Sequence, residues 1–306
     1  MKTVMTLGDP HLGRKFRTGV PLHRIGDREA MVWAQFAEEL FDPGAEIHVC
    51  MGDLFDKFVV APEIVIRAAN VYLEAARRDP DTMFVILEGN HDVSRDTAKA
   101  SSFDLFTMLV ADADNIMVVR EDPWVYENLG FVPYHPFKPT TSLVEELPDN
   151  LSAVYGHWDI QDWGGDNVIP TKLLAEMGIT QAISGHDHVG RIEERDGVVI
   201  TVTGSMQPYT HAEDRTGLFY RTLELADLEG LETENLNLRV LLREGESLPT
   251  DIDCLSITAR RITDEDEKLE VDTSEFESLS LDDMLGKALE GLSIKDELME
   301  AFRNDQ

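Results

Sequence analysis

Five short motifs in this sequence place carboxylate, amide and imidazole side chains beside turn residues. They occur in the order Asp9-Pro10-His11, Gly52-Asp53, Gly89-Asn90-His91-Asp92, Gly156-His157 and Gly185-His186-Asp187-His188. Oxygen and nitrogen ligands without thiolates suit Mn²⁺, Fe²⁺ or Zn²⁺ better than a structural zinc held by cysteine. The motifs therefore predict a centre for divalent ions, with Mn²⁺ as the first choice and Mg²⁺, Fe²⁺ or Zn²⁺ as alternatives.

The spacing within the motifs places paired candidate ligands on the same side of the backbone. In extended backbone, residues two apart point the same way, as in Asp9 with His11 and His186 with His188. Two ions about 3.5–4 Å apart generate a bridging hydroxide nucleophile and neutralise phosphoryl oxygens during in-line displacement. The chemistry predicted is hydrolysis of a phosphoester without a covalent enzyme intermediate.

The segments around the motifs alternate between apolar runs and amphipathic stretches, which predicts an α/β fold. Predicted strands cover residues 3–7, 47–51, 84–87, 153–155, 181–183, 198–202 and 218–225, and predicted helices cover 28–40 and 63–78. Each of the five motifs follows a predicted strand. Ligands at the carboxyl ends of strands in an α/β sheet converge on one crevice, so we expect the motifs to meet there.

As an ordered set, the motifs resemble those of the calcineurin-like metallophosphoesterases, and specifically the SbcD-like and phage recombination nuclease branch. The resemblance covers about residues 1–210 and implies a two-sheet α/β sandwich. It implies that Asp53 bridges two metals. The other implied ligands are Asp9, His11 and His188 for the first metal, and Asn90, His157 and His186 for the second.

The resemblance also implies catalytic roles for two residues that are not ligands. His91 is expected to protonate the leaving oxygen or stabilise the transition state, and Asp92 is expected to hold its ring. The nuclease branch is indicated by Asp92 as the last residue of the third motif, and by residues 204–208 followed by Glu213. Residues 158–165 depart from the bacterial pattern and are closer to phage members, which leaves the preferred DNA structure open.

The function implied is an Mn²⁺-dependent DNA exonuclease and endonuclease. It would be the nuclease subunit of an SbcCD-like DNA-end processing and recombination complex, bound to an SbcC-like SMC-type ATPase. Two alternatives stay open: a stand-alone phosphodiesterase for small or cyclic nucleotides, and a metal-bearing assembly subunit with little activity. The presence of His91 favours an active site over the last of these. Whether two copies of the chain pair is also left open.

The net charge of −32, from 59 acidic and 27 basic residues, is unusual for a protein that binds nucleic acid. The metal ions or a partner subunit would have to supply positive charge.

Several side chains near the motifs have two possible roles. Phosphate contact and an ordinary solvated turn are given equal weight for the cations that follow the first motif, Arg14, Lys15 and Arg17. The same holds for Arg95 and Lys99. Trp158 and Trp163 are expected either to stack on a base or, with more weight, to pack over the metals. His23, His48, His135 and His211 are assigned to ordinary surface or core positions.

The predicted domain organisation has four parts. Residues 1–210 form the catalytic domain, 211–262 add strands that complete or cap it, 263–279 form an acidic tether, and 280–306 form a helical element that docks on the partner or packs on its own domain. Cys50 and Cys254 fit neither a disulfide framework nor a metal ribbon, so we expect a reducing cytoplasm, that of the host if the protein is phage-encoded. We expect no leader peptide and no membrane span.

Overall fold

The fold is described by a computed structural model that covers residues 2–41, 44–94, 96, 99–162, 164–249 and 251–262. The strands within these ranges are β1 (Val4–Leu7), β2 (Ile47–Cys50), β3 (Met83–Leu87), β4 (Ile116–Val119), β5 (Trp124–Tyr126), β6 (Leu129–Val132), β7 (Ala153–Gly156), β8 (Gln181–Ser184), β9 (Arg191–Arg195), β10 (Val198–Val202), β11 (Tyr220–Glu224), β12 (Asn237–Leu242) and β13 (Ser256–Arg261). The α-helices are α1 (Asp27–Phe41), α2 (Pro62–Arg78), α3 (Ser102–Val110), α4 (Thr140–Val144) and α5 (Thr171–Glu176), with 3₁₀ turns at Leu22–Arg24 and Leu225–Leu228.

The first sheet is parallel throughout and has the order β1-β2-β3-β4. Its register places Leu7 opposite Cys50 and Cys50 opposite Ile86, so the first three strands end nearly in line. Because parallel strands share one carboxyl edge, the first three motifs emerge side by side.

The second sheet has the order β5-β6-β7-β8-β10-β9. Its four central strands are parallel, and the edge strands β5 and β9 are antiparallel to their neighbours. Gly156 pairs with Ser184, so β7 and β8 deliver the fourth and fifth motifs to a common edge. A third sheet has the order β11-β12-β13.

Three of the four apolar clusters in the described residues hold the helices and the two large sheets together. The central cluster joins the two large sheets through residues such as Val49, Val85, Phe131 and Tyr155. A second cluster packs α1, α2 and α3 on the outer face of the first sheet. A third packs α4 and α5 on the second sheet. This arrangement confirms the predicted two-sheet α/β sandwich.

Local sequence explains where the helices begin. Pro62 opens α2, where the missing N–H costs nothing because that group has no partner inside a helix. Ser101 caps α3 by accepting a hydrogen bond of 2.9 Å from the backbone N–H of Asp104, whose carboxylate accepts in return from the Ser101 N–H. Helix α1 spans Asp27–Phe41, one residue more at each end than predicted.

Residues 1–240 and 248–259 form one compact unit, which contains the sandwich. Residues 241–247 and 260–262 group separately, and there the N–H of Ile262 donates to the Leu242 carbonyl at 3.0 Å. The predicted boundary at residue 210 stays a prediction. The predicted tether and docking element, Arg95 and Trp163 lie outside the described residues.

Cys50 and Cys254 are both free and buried. Among the helices in the described ranges, none has the length and apolar character needed to cross a bilayer.

Candidate metal centre

The motif residues leave their strands through unusual backbone conformations. His11, Asp53 and His186 are three of the seven residues other than glycine that have positive φ in the described chain. A side chain in this region costs of order 1–3 kcal/mol and persists only where the surroundings impose it. Three of the predicted ligands therefore occupy strained backbone positions.

The first ligand group consists of Asp9, His11 and His188. The Nε2 atoms of His11 and His188 lie 2.9 Å apart, and Asp9 Oδ2 lies 3.8 Å from His188 Nε2. Asp9 and His11 are fully buried, whereas the His188 side chain is 23% exposed. The structure brings together the three residues expected to bind the first metal.

The second ligand group consists of Asn90, His157 and His186. Asn90 Oδ1 lies 2.9 Å from both His157 Nε2 and His186 Nδ1, and these two ring nitrogens are 3.2 Å apart. A carboxamide oxygen and two imidazole nitrogens within this distance form one half of a shared site. These are the residues expected to bind the second metal.

Asp53 lies between the two groups. Its Oδ1 is 3.5 Å from His157 Nε2, and its Oδ2 is 3.8 Å from His11 Nε2. A Cβ atom at Gly89 would overlap the backbone nitrogen and the carboxylate of Asp53, so the third motif approaches this closely only with glycine. The two carboxylate oxygens of Asp53 face different groups, which is the geometry of a bridging ligand.

Outer residues orient three of the four ligand histidines. His157 Nδ1 donates to the Met51 carbonyl at 2.9 Å, which leaves Nε2 for a metal. Glu213 accepts from His188 Nδ1 at 3.3 Å. Asp159 accepts from His186 Nε2 at 2.8 Å. Such partners fix the tautomer and ring orientation of metal-binding histidines.

Asp159 and the orienting role of Glu213 were not predicted from the sequence. Asp159 lies two residues after His157, and this spacing is the signal that could have found it. Tyr209 is a third residue that was missed. Its ring meets His11 edge-on at 5.5 Å between centroids, and its hydroxyl donates to the Pro10 carbonyl. Tyr209 therefore packs against His11 and hydrogen-bonds to the backbone of the first motif.

His91 lies at the open side of the ligand groups. Its Nδ1 is 2.7 Å from the Asp56 carbonyl oxygen, and its Nε2 is 4.0 Å from Asp53 Oδ2. The side chain is 42% exposed, more than any ligand histidine. This position suits a residue that meets a substrate rather than one enclosed by protein.

The expectation that Asp92 holds the ring of His91 is wrong. The Asp92 carboxylate accepts from the backbone N–H groups of Leu54, Phe55 and Gly89 at 3.1, 3.0 and 3.0 Å. The backbone after His91 turns back, which buries this carboxylate beneath the second motif. Asp92 ties two ligand loops together, and the Asp56 carbonyl holds His91.

Buried charge in the site indicates a need for cations. Burial, with a smaller contribution from the nearby Asp53 carboxylate, outweighs the lowering effect of His157 and raises the pKa of Asp9 to about 7. Burial lowers the pKa of His11 to about 3 and so favours the neutral ring that binds metals. Burial also lowers the pKa of His157, but Asp53 and Asp9 outweigh it and bring the value to about 10.

The donor set fits two divalent ions. Asp9 Oδ1 is buried and has no hydrogen-bond partner in the described part of the chain, as expected for an oxygen that binds a metal. Two carboxylates, one amide and four imidazoles suit Mn²⁺, Fe²⁺ or Zn²⁺. A divalent ion in each group would compensate the two carboxylates that share this buried volume.

A cavity of about 830 Å³ opens beside the metal centre and reaches Asn90 and His91. Arg14, Lys15 and Lys57 supply its positive charge. The Arg14 guanidinium lies 3.5 Å from Asp56 Oδ1 and 4.9 Å from the centroid of the Tyr209 ring. The segment after the first motif therefore lines a cavity at the site.

The remaining candidates from the sequence lie elsewhere. Trp158 is fully buried in the cluster beneath α4 and α5 and covers Gly156 so closely that a Cβ there would overlap the indole, so it packs in this core rather than stacking on a base. Asp187 pairs with Arg191 at 2.7 Å. Lys99 pairs with Asp96 at 2.8 Å and lines a separate cavity.

Comparisons with known proteins place these features in context. The sequence profile of a family described as calcineurin-like phosphoesterase matches residues 2–190. Comparison with curated proteins gives no match.

Three solved structures are similar over about two thirds of the chain. They are TT1561 of Thermus thermophilus (11% identity, TM-score 0.45, 67% of this chain and 90% of that chain), phosphopantetheinyl hydrolase PptH from Mycobacterium tuberculosis (12%, 0.40, 68% and 93%), and GAP50, the anchor in the inner membrane complex of Plasmodium (15%, 0.39, 66% and 71%).

Proposed function

This chain belongs to the calcineurin-like phosphoesterase family, whose members are metal-dependent hydrolases, and we propose as a further step that its substrate is DNA and its physiological metal is Mn²⁺. The proposed activity is that of an exonuclease and endonuclease. The observation that carries it is the position of His91. On one side of His91 are the two ligand groups, which share Asp53, and on the other is a cavity lined by Arg14 and Lys15. Cationic side chains at the mouth of a phosphoesterase site suit a polyanionic substrate.

The ligand groups assign a place to each ion. Asp9, His11 and His188 would hold one, Asn90, His157 and His186 would hold the other, and Asp53 would bind both. Bound there, two divalent ions supply charge neutralisation for the phosphoryl oxygens and lower the pKa of a water.

In this proposal, His91 donates a proton to the leaving oxygen, and nearby cations compensate the charge of the substrate. With Nδ1 of His91 bonded to the Asp56 carbonyl, Nε2 is the nitrogen that can hold a proton toward the cavity. That proton is transferred to the oxygen of the departing strand as its bond to phosphorus breaks. Arg14, Lys15 and Lys57 offset the charge of the strand that enters.

A partner is part of the proposal. The net charge of −32 disfavours a duplex on most of the surface, so a subunit that supplies a DNA-binding surface is expected. We propose an SbcC-like SMC-type ATPase in an SbcCD-like DNA-end processing and recombination complex in the cytoplasm. Co-purification with a long coiled-coil ATPase would support this. Its loss on truncation after Ile262, which keeps all the described strands, would map the contact to residues 263–306.

The same acidic surface favours a second candidate, a phosphodiesterase for small or cyclic nucleotides that never meets a duplex. The two are separated by offering the purified protein single-stranded DNA, double-stranded DNA and cyclic mononucleotides with Mn²⁺. Cleavage of DNA supports the nuclease, and rapid cleavage of cyclic mononucleotides alone supports the second candidate. Metal uptake without turnover of any phosphodiester would indicate an assembly subunit.

A further inference from the structure

A second cavity, of about 280 Å³, lies on the other side of Arg14 from the first. Its cationic lining consists of Arg14, Lys15, Arg17 and Arg239, and none of the residues that line it is a carboxylate. The chain as a whole has more than two acidic residues for each basic one. A pocket with this lining is therefore opposite in character to the rest of the sequence.

Of the four cations that line this pocket, Arg14 pairs with Asp56 at 3.5 Å, whereas the other three form no ion pair in the described chain. Across the described ranges, no carboxylate lies within ion-pair distance of Lys15, Arg17 or Arg239. Polar side chains that line the same pocket already have partners within the protein. Ser256 Oγ donates to Asn237 Oδ1 at 2.8 Å, and the Tyr220 hydroxyl donates to the Tyr209 carbonyl at 2.9 Å. Unpaired charges of one sign in a cleft raise the local concentration of anions.

This pocket adjoins the metal centre. Arg14 and Lys15 line both this pocket and the cavity that reaches His91. Tyr209, which lines the second pocket, contacts the ring of the ligand His11 and stacks beneath the Arg14 guanidinium. An anion held in the second pocket would thus lie a few side chains from a phosphate at the metals.

We propose that Arg14, Lys15, Arg17 and Arg239 form a second phosphate site, which holds a backbone phosphate next to the scissile one. The assignment of the scissile phosphate rests on the proposed function; the pocket itself rests on its lining. A strand with two or more phosphates fills both places, whereas a cyclic mononucleotide, with one phosphate, fills only one. The pocket therefore selects nucleotide chains over single nucleotides.

The first test compares thymidine dinucleotides with and without a terminal phosphate. The dinucleotide TpT has one phosphodiester, and an added 5′- or 3′-phosphate supplies the second anion. With Mn²⁺, wild-type protein should show a kcat/KM at least about tenfold higher for one of the phosphorylated forms, since hydrogen bonds to charged groups are worth roughly that factor or more. Arg239→Gln should lose most of this preference, and Arg239→Lys should restore part of it.

Arg221→Gln is the matched control. Arg221 lies on the neighbouring strand β11, is exposed and lies outside the pocket, so its loss removes the same charge without removing the proposed contact. If Arg239→Gln does not fold, Arg17→Gln, in an exposed turn, takes its place. An undiminished preference in the variant that folds would overturn the proposal.

The second test measures binding without turnover. In a His91→Asn background with Mn²⁺, fluorescence anisotropy follows a labelled oligothymidylate as salt is raised. Removal of one phosphate contact should make the slope of log K against log salt shallower by about 0.7 for a single strand. Binding that depends on Arg239 without DNA cleavage by the wild type would refute the nuclease but leave the phosphate site standing. The site would be refuted if the wild type cleaves DNA but replacement of Arg239 or Arg17 leaves oligothymidylate binding unchanged. It would also be refuted if the oligothymidylate does not bind at all.

Discussion

Nδ1 of His91 lies 2.7 Å from the backbone carbonyl oxygen of Asp56, and this contact determines which ring nitrogen faces the site. Nε2 is then free toward the cavity, 4.0 Å from Asp53 Oδ2. A neutral ring that donates through Nδ1 can accept a proton at Nε2 and return it to an oxygen of the substrate. His91 thus combines a fixed orientation with greater exposure than the four proposed ligand histidines.

Replacement of His91 by asparagine should leave metal binding intact and remove most of the turnover. The seven proposed ligands are untouched, while the group that donates the proton is lost, so kcat should fall by about 10²–10⁴. Metal content by mass spectrometry and hydrolysis of the dinucleotide TpT, whose alkoxide leaving group needs a proton, are measured on the same preparation. A variant that loses its metals would show that His91 is a ligand.

Asp53→Ala should lose both metals, because Asp53 faces both ligand groups. Asn90→Ala is the matched comparison, since Asn90 contacts only His157 and His186 and should weaken the second site alone. Stoichiometry from isothermal titration with Mn²⁺ distinguishes the two variants. Retention of one full equivalent by Asp53→Ala would argue against a bridging role.

Glu213→Gln and Asp159→Asn should each weaken a different metal. Glu213 orients His188 of the first group and Asp159 orients His186 of the second. Loss of such a partner commonly lowers metal affinity by about 10–100-fold. Competition with a chelator measures both affinities. If neither variant changes them, these carboxylates do not orient the ligands.

Gly156→Ala should destabilise the fold, because the added Cβ would overlap the fully buried indole of Trp158. Overpacking of a core commonly costs about 1–3 kcal/mol. Gly165→Ala is the control, since the nearest atom to its Cβ would be 4.0 Å away. Thermal unfolding of both variants without added metal is the measurement, and equal Tm values would contradict the packing described for Trp158.

Asp214→Asn should lower stability at neutral pH but not in strong acid. Burial raises the pKa of Asp214, but hydrogen bonds from the Thr216 hydroxyl and the N–H groups of Phe219 and Tyr220 outweigh it and hold the pKa well below its usual range. A depressed carboxyl pKa stabilises the fold above the unfolded value of 3.8 and loses this effect as pH falls below it. Denaturant unfolding in EDTA should show a deficit of about 1–2 kcal/mol at neutral pH that narrows in acid. A deficit independent of pH would rule out this carboxylate as the cause.

Patterns of near neighbours made the ligands predictable. Strand periodicity predicted Val198–Val202 with its observed bounds, and glycine at strand ends marked where His157 and His186 leave the sheet. These signals are local, because alternation and turn chemistry depend on adjacent residues. The shared edge of parallel strands then implied that the motifs meet.

The parts that could not be predicted depend on contacts between distant residues. Tyr209 supports His11 across nearly two hundred positions of sequence. Asp92 was assigned to its sequence neighbour His91, but its carboxylate turns to the loop after β2. The cationic pocket combines Arg17 with Arg239, which no local pattern links. Such pairings follow from sheet packing, which periodicity does not specify.

The most direct test of the central claim is cleavage of end-labelled single- and double-stranded DNA by the full-length protein with Mn²⁺, Mg²⁺ or EDTA, beside His91→Asn. We predict cutting with Mn²⁺ that is abolished by EDTA and lost in His91→Asn with its metals still bound. An intact DNA substrate, in a preparation that contains both metals and hydrolyses a cyclic mononucleotide, would contradict the nuclease assignment.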